Sequence, residues 1–169
     1  MEKIQEISRG EEGKVDIEKE NIQLLPFFMK LKDKYESTAT KEKKASIQLQ
    51  IDKDIIIRSN RIHLSNIMDN LTENSINYSN ENVYINIRVF PENGYVHVHH
   101  CDNGWGIASS EIPFVFEKFF RGISTEKRKK RGFGLGLSYV KTMIEQLGGS
   151  ISVESKEKVF TEFKLKHPL

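Results

Sequence analysis

The chain contains a single cysteine, Cys101, in 169 residues. That excludes a disulfide framework and a CxxC metal knuckle, and it points to a reducing compartment. Long apolar runs are missing as well: no stretch of about 18 apolar residues exists to cross a membrane. The opening residues, MEKIQEISRGEEGK, are charged and lack the apolar core of a signal peptide. The expectation is a cytoplasmic location, with a parent protein that can be membrane-anchored. Net charge is small too. Lys and Arg total 26 against 24 Asp and Glu, which leaves +2 and does not mark a general nucleic-acid binder. There is no internal repeat and no low-complexity tract. What is present is ordinary for a soluble domain: 37% hydrophobic residues and 11 glycines. One domain of this length can bury roughly 70% of its unfolded surface.

Periodicity supplies the elements. Residues 1–13 read as the end of a helix, with Ile4 and Ile7 apolar and Gly10 and Gly13 breaking it. Residues 20–44 place Leu24, Phe27, Phe28, Leu31 and Tyr35 at helical spacing opposite a charged side, with Pro26 near the start. The period then changes to two: SIQLQI (46–51) alternates and DIIIR (54–58) is β-branched. Helical spacing returns over 60–78 with Leu64, Ile67, Met68, Leu71 and Tyr78 apolar. VYINIRVF (83–90) and YVHVHH (95–100) form an expected hairpin around a Pro91–Gly94 turn. Residues 101–131 read mostly as loop, with an apolar stretch at Ile112–Phe120. A glycine cluster at 132–136 opens a helix over 137–147 that stops at Gly148–Gly149. SISVES and VFTEFKL close the chain as a second hairpin. Without regular βαβ spacing, the expected fold class is α+β: an α/β sandwich with a mixed sheet and helices on one face.

Three clusters carry chemistry, each beside a plainer reading. Asn66, Asn70, Glu73, Asn74 and Asn77 recur at steps of three and four on one helix. Asn is a mediocre helix former, so the stripe is either a wet helix face or a set of oxygens for a hard cation. CDNGWGI (101–107) follows a strand. Asp102 can accept from an exocyclic amine such as that of adenine, and Gly104 and Gly106 admit close approach; the alternative is a plain Asp-Asn-Gly turn. RGFGLGLSYV (131–140) runs three glycines into a helix start, behind the basic run EKRKKR (126–131). That is an anion site or a flexible hinge.

The four motifs in order, N-LTE-N, DNGWGI, FEKFFR and GFGLGL, resemble the catalytic and ATP-binding domain of sensor histidine kinases. These belong to the Bergerat-fold ATPases, together with DNA gyrase and the heat-shock chaperones. The resemblance runs from about Glu12 to Phe163, and EIPFVFEKFFRG (111–122) is its most discriminating part. ISRGEEGK is similar to the end of the dimerisation helix that precedes such domains. The resemblance therefore implies a helix remnant at 1–13 and a catalytic domain at 14–169, with a mostly antiparallel mixed sheet. It implies Mg-ATP as ligand, with Asn74 as the Mg2+ ligand and Asn70 as a second candidate. Glu73 matches a general base or water-orienting group, and Tyr78 an aromatic beside the nucleotide. Asp102 matches the reader of the adenine amine. Gly104, Gly106, Ile107, Gly132, Gly134, Leu135, Gly136 and Leu137 match the pocket and lid. Asn77, Lys118, Arg121 and the basic residues Lys127 to Arg131 match positions near the phosphates. The implied acceptor is a histidine on a dimerisation domain, with a response regulator next in the relay and no nucleic-acid partner. The domain by itself is expected to be a monomer.

Several positions depart from that pattern. Asn77 stands where many relatives carry Lys, Phe133 where Thr or Ser is usual, and Trp105 where the side chain is small or aliphatic. KVFTEF replaces a Gly-rich turn. None of the five histidines fits a phosphoacceptor motif: His63 is on the Asn-rich helix, His97, His99 and His100 are on a strand, and His167 is at the tail. His97 and His99 share a strand face without an obvious third metal ligand. Cys101 reads as a small buried residue, and Phe114, Phe116, Phe119 and Phe120 as packing that anchors the lid. Two other readings fit the same fold: a degenerate nucleotide-binding regulatory module, and a protein-serine kinase or anti-sigma-type regulator.

Overall fold

Alternation along five strands builds the main sheet. In the computed structural model, which describes residues 18–37, 44–52, 54–80, 82–122 and 133–169, the elements are β1 (Glu20–Gln23), α1 (Leu24–Ser37), β2 (Lys44–Ile51), β3 (Ile56–Ser59), α2 (Arg61–Asn77), β4 (Asn82–Glu92), β5 (Tyr95–Asp102), α3 (Gly136–Gln146), β6 (Ser150–Lys156) and β7 (Phe160–Pro168), with a short 3-10 turn at Ile112–Phe114 between β5 and α3. Five strands form one sheet in the order β2-β4-β5-β7-β6. Only β2 and β4 run parallel; the other three pairs are antiparallel. Val83, Ile85, Ile87 and Val89 of β4 and Val96 and Val98 of β5 turn inward. They join Phe28, Ile67, Met68, Leu71 and Ile144 of the three helices in one core. Each such side chain contributes roughly 1.5–3 kcal/mol by burial. This is the expected mixed, mostly antiparallel sheet with helices on one face.

Three boundaries differ from the sequence reading. The stretch expected to be helical from residue 20 begins as strand β1, because Ile22 is fully buried against its register partner Ile57. Four residues are too few for a period to show. The helix then runs Leu24–Ser37, and residues 38–43 lie outside those described. The first hairpin turns at Asn93–Gly94, not from Pro91, with φ of 51° and 77°. Both central residues are left-handed, as a type I′ turn requires. Pro91 stays in β4 because it lies beyond Val89, the last residue of β4 paired with β2, so its missing N–H breaks no ladder. In the β6–β7 hairpin Lys158 adopts φ 61°, the conformation a glycine would supply without strain. The helical reading of 1–13 falls outside the described residues.

The open edge of β2 is covered from within the chain. Glu36 of α1 accepts from the Ile47 N–H at 2.8 Å, and Lys32 donates to the Ile47 carbonyl, while the two side chains pair at 3.0 Å. An edge strand left bare would be a template for another chain. No helix among the described residues is long and apolar enough to cross a membrane.

Candidate functional site

A cleft opens where the C-terminal ends of α2 and β5 meet the loop after β5. α2 starts at Asn60, whose side-chain oxygen accepts from the His63 N–H at 2.9 Å. It ends at Tyr78, whose N–H returns to the Asn74 carbonyl at 2.8 Å. The asparagine stripe along it is divided in use. Asn74 and Tyr78 line the cleft, and the Asn74 side chain makes no hydrogen bond among the described residues. Asn66 and Asn70 serve the packing of α3. Asn66 donates to the Tyr139 hydroxyl at 3.2 Å, and Asn70 donates to the Asn66 carbonyl at 2.7 Å. A Cβ added to Gly136 would sit 3.0 Å from the Asn70 oxygen, so that glycine lets α3 start close to α2. Asn77 is exposed and off the cleft wall.

Glu73 does not share that face. It lies 100° round the helix from Asn74, is exposed, and takes the Tyr35 hydroxyl of α1 at 3.4 Å. Tyr35 also donates to Asp69 at 2.9 Å, and burial followed by these carboxylates pushes its phenol well above the usual range.

Asp102 forms the buried floor of the cleft at 6% exposure. Ser75 donates to its Oδ2 at 2.6 Å and the Gly104 N–H to its Oδ1 at 2.8 Å. Burial raises its pKa, and these two donors oppose the rise. The glycine at 104 is required by space: an added Cβ would stand 2.7 Å from both Asp102 Oδ1 and the Tyr78 carbonyl. Gly106 combines φ 68° with a backbone of Lys156 and Glu157 too close for any side chain. The intervening Trp105 is a clasp. Its N–H donates to the Tyr78 carbonyl at 2.8 Å, its indole N–H to Asn80 at 3.0 Å, and its ring meets Tyr78 edge-on at 6.2 Å. Ile107 lines the cleft, and its N–H is held by Ser155 at 2.9 Å.

The phenylalanine-rich segment divides between wall and surface. Phe120, Arg121 and Gly122 line the cleft, as do Glu111 and Val115. Phe116 packs edge-on against Phe163 at 6.4 Å. Phe114 and Phe119 are exposed, so they do not serve as buried anchors, and Phe119 adopts φ 66°. Its N–H donates to the Gly134 carbonyl at 2.9 Å, which ties this segment to the loop before α3. Lys118 is exposed and off the cleft wall. Of the residues opening α3, Leu137 lines the cleft, whereas Gly134, Leu135 and Gly136 do not. Leu135 is the N-cap and provides no side-chain cap. Arg131, Gly132 and the basic run before them lie outside the described residues.

Residues that sequence reasoning passed over include Ser75, Glu111, Thr161 and Phe163. Ser75 stands four after Leu71, on its buried face. Thr161 is the register partner of Asp102, and TEF alternates Thr161 and Phe163 onto the inner face. Both signals were present in the spacing. Away from the cleft, His97 stacks on Phe90 at 5.3 Å and His99 sits 3.4 Å from Glu162. No group of three His, Cys, Asp or Glu able to hold a metal occurs among the described residues. Cys101 is half-buried on the outer sheet face and not enclosed in the core, because β5 alternation puts it with His97 and His99. Burial raises its pKa.

The sequence profile of the histidine kinase-, DNA gyrase B- and HSP90-like ATPases matches residues 59–169. The chain belongs to that family. Among sequence relatives, the sensor protein RprX of Bacteroides fragilis is 35% identical over 116 residues, 68% of this chain and 22% of RprX. The histidine-protein kinase ArlS of Staphylococcus epidermidis is 30% identical over 117 residues, 69% of this chain and 26% of ArlS. The chain thus spans about a quarter of the length of these curated relatives. Full-length ShkA, solved with AMPPNP, superposes with a TM-score of 0.84 at 19% identity, covering 98% of this chain and 34% of ShkA. That likeness shows the shared fold. This family member is of the ATP-binding catalytic type found in sensor histidine kinases.

Proposed function

We propose that the cleft binds Mg-ATP and presents its γ-phosphoryl group to a histidine on a dimerisation domain, with a response regulator as the next acceptor. In this reading residues 14–169 are the catalytic domain and residues 1–13 the end of the second dimerisation helix. The observation that carries it is the buried Asp102 carboxylate at the cleft floor, held by Ser75 and the Gly104 N–H. A carboxylate in that place accepts from an exocyclic amine, which selects adenine over a base lacking one. Tyr78 and Ile107 supply apolar walls beside it.

The donor set also fits a magnesium ion. Asn74 contributes a carboxamide oxygen without a competing hydrogen bond among the described residues, and Mg2+ takes few protein ligands because it retains water and phosphate oxygens. Asn70, committed to α2 and α3, is the lesser candidate. The ion would neutralise phosphate charge, a task shared by Arg121 on the cleft wall. Glu73 lies outside the cleft, one residue from Asn74, where a base facing an incoming acceptor helix belongs. In the transfer the terminal P–O bond breaks, a P–N bond to the imidazole forms, and Glu73 is placed to take the imidazole proton. Arg131, Gly132, Gly134 and Lys118 are proposed as further cofactor-binding residues.

Calorimetric titration with Mg-ATP tests the site. The expected result is binding by the wild type and a loss of at least about tenfold in Asp102→Asn with folding intact, because the amide turns a donor toward the adenine amine. Absence of binding by the wild type would overturn the reading. Single-turnover transfer to a supplied dimerisation helix then tests the kinase step, which Asp102→Asn should abolish together with binding.

A further inference from the structure

The inner side of α2 changes character along its length. Leu64, Ile67, Met68 and Leu71 are apolar and buried, and then come two buried hydroxyls, Thr72 at 0% and Ser75 at 2% exposure. The inner side of β5 changes in the same direction: Val96 and Val98 are followed by His100 at 0% and Asp102 at 6%. The polar halves face each other. Thr72 Oγ1 and His100 Nε2 are 3.3 Å apart, and Ser75 Oγ donates to Asp102 at 2.6 Å. His100 lies between its register partners Ile87 and Phe163, and its Nδ1 has no partner among the described residues. A buried ring with one nitrogen unsatisfied costs stability that Val or Leu would not. What such a pair adds is direction. Apolar surfaces slide past one another with little penalty, whereas a hydrogen bond is lost within a fraction of the 1.5 Å rise of one helical residue.

We propose that the Thr72–His100 bond is a positioning device for the nucleotide cleft, setting the axial register of α2 against β5 and hence the placement of Asn74 relative to Asp102. The two bonds act as a two-point clamp. Thr72 and Ser75 are about 4.5 Å apart along the helix, and His100 and Asp102 are about 6.8 Å apart along the strand. Two contacts with unequal spacings are satisfied together only at one helix position and inclination. Ser75 touches the adenine-reading carboxylate itself, while the first bond lies one helical turn further from the cleft. Thr72 and His100 are therefore positioning residues, acting through Asn74 and Asp102. The inference rests on the nucleotide-binding reading for its purpose, though its geometry does not.

The test compares Thr72→Val, His100→Val and the double variant by thermal unfolding, Mg-ATP titration and amide hydrogen exchange. Thr72→Val should lower the melting temperature, since His100 is then buried with neither nitrogen bonded. The double variant should recover the melting temperature, because two apolar groups leave nothing unsatisfied. It should nevertheless bind Mg-ATP at least about tenfold more weakly. Its amides at Tyr78, which closes α2 on Asn74, at Gly104, which donates to Asp102, and at Trp105, which joins the loop after β5 to the Tyr78 carbonyl, should exchange faster while those of Leu64–Met68 stay unchanged. A double variant with wild-type exchange at those amides would overturn the proposal, as would recovered stability with wild-type affinity. If the wild type binds no Mg-ATP, the functional reading fails, and the exchange data still decide the positioning role.

Discussion

The two faces of the five-stranded sheet hold polar groups in different ways. On the inner face His100, Asp102, Thr161 and His167 are buried among aliphatic side chains, and each is hydrogen-bonded to a specific neighbour. On the outer face Arg88, Glu154, Glu162 and Lys164 form a network of ion pairs with water on one side, and the His99 ring lies beside Glu162. The inner groups are few and costly to disturb, and three of them lie at the cleft end of their strands or beside it. The outer groups share their charge among several partners in a high-dielectric setting, where a pair is worth about 0–1 kcal/mol. Directional bonds therefore sit where geometry is needed, and exchangeable ones where solubility is.

The largest expected difference comes from cutting the apolar part of the inner face. Ile87→Ala should destabilise the domain by about 2–5 kcal/mol in urea unfolding. A loss below 1 kcal/mol would show that the inner face is not the stabilising one. Acid should act next, chiefly through the inner face. Burial lowers the His100 pKa from 6.5 to about 4. On acidification the unfolded chain therefore takes the proton first. Stability should be full above about pH 6.5, fall as the pH drops toward 4, and level off below, for a loss of up to about 3 kcal/mol. Burial lowers the pKa of His99 and His167 as well, which adds to the slope, while the raised Asp102 opposes it. Urea unfolding at pH 7.5 and 4.5 should show most of this dependence vanishing in His100→Val, and an unchanged slope in that variant would remove His100 from the account. The smallest effect belongs to the outer face. Lys164→Ala, which loses Glu154 and Glu162 as partners, should cost under about 1 kcal/mol, and salt should shrink the difference further. A loss comparable to Ile87→Ala would erase the contrast between the faces.

How much was legible beforehand follows from the length of each pattern. The long alternations at 83–90 and 95–100, and the helical spacing at 60–78, appear where expected because a repeated pattern outweighs any single residue. β1 was missed because four residues cannot display a period. The asparagines looked equivalent because steps of three and four collect a broad arc of helix. Only packing separates Asn74, which meets the cleft, from Asn70, which meets Gly136, and from Glu73, which meets Tyr35. Trp105 read as a departure between two glycines, and its use as a clasp on Asn80 and Tyr78 depends on residues 25 or more positions away.

By itself the sequence determined the family, the order of the elements, and the presence of Asp102 after a strand and Asn74 on a helix, because these are local patterns and short motifs. The tertiary structure alone decided which polar side chains face one another. Thr72 meets His100 and Ser75 meets Asp102 across 28 and 27 residues of chain. Their pairing depends on how α2 lies over β5, and no local propensity encodes that angle.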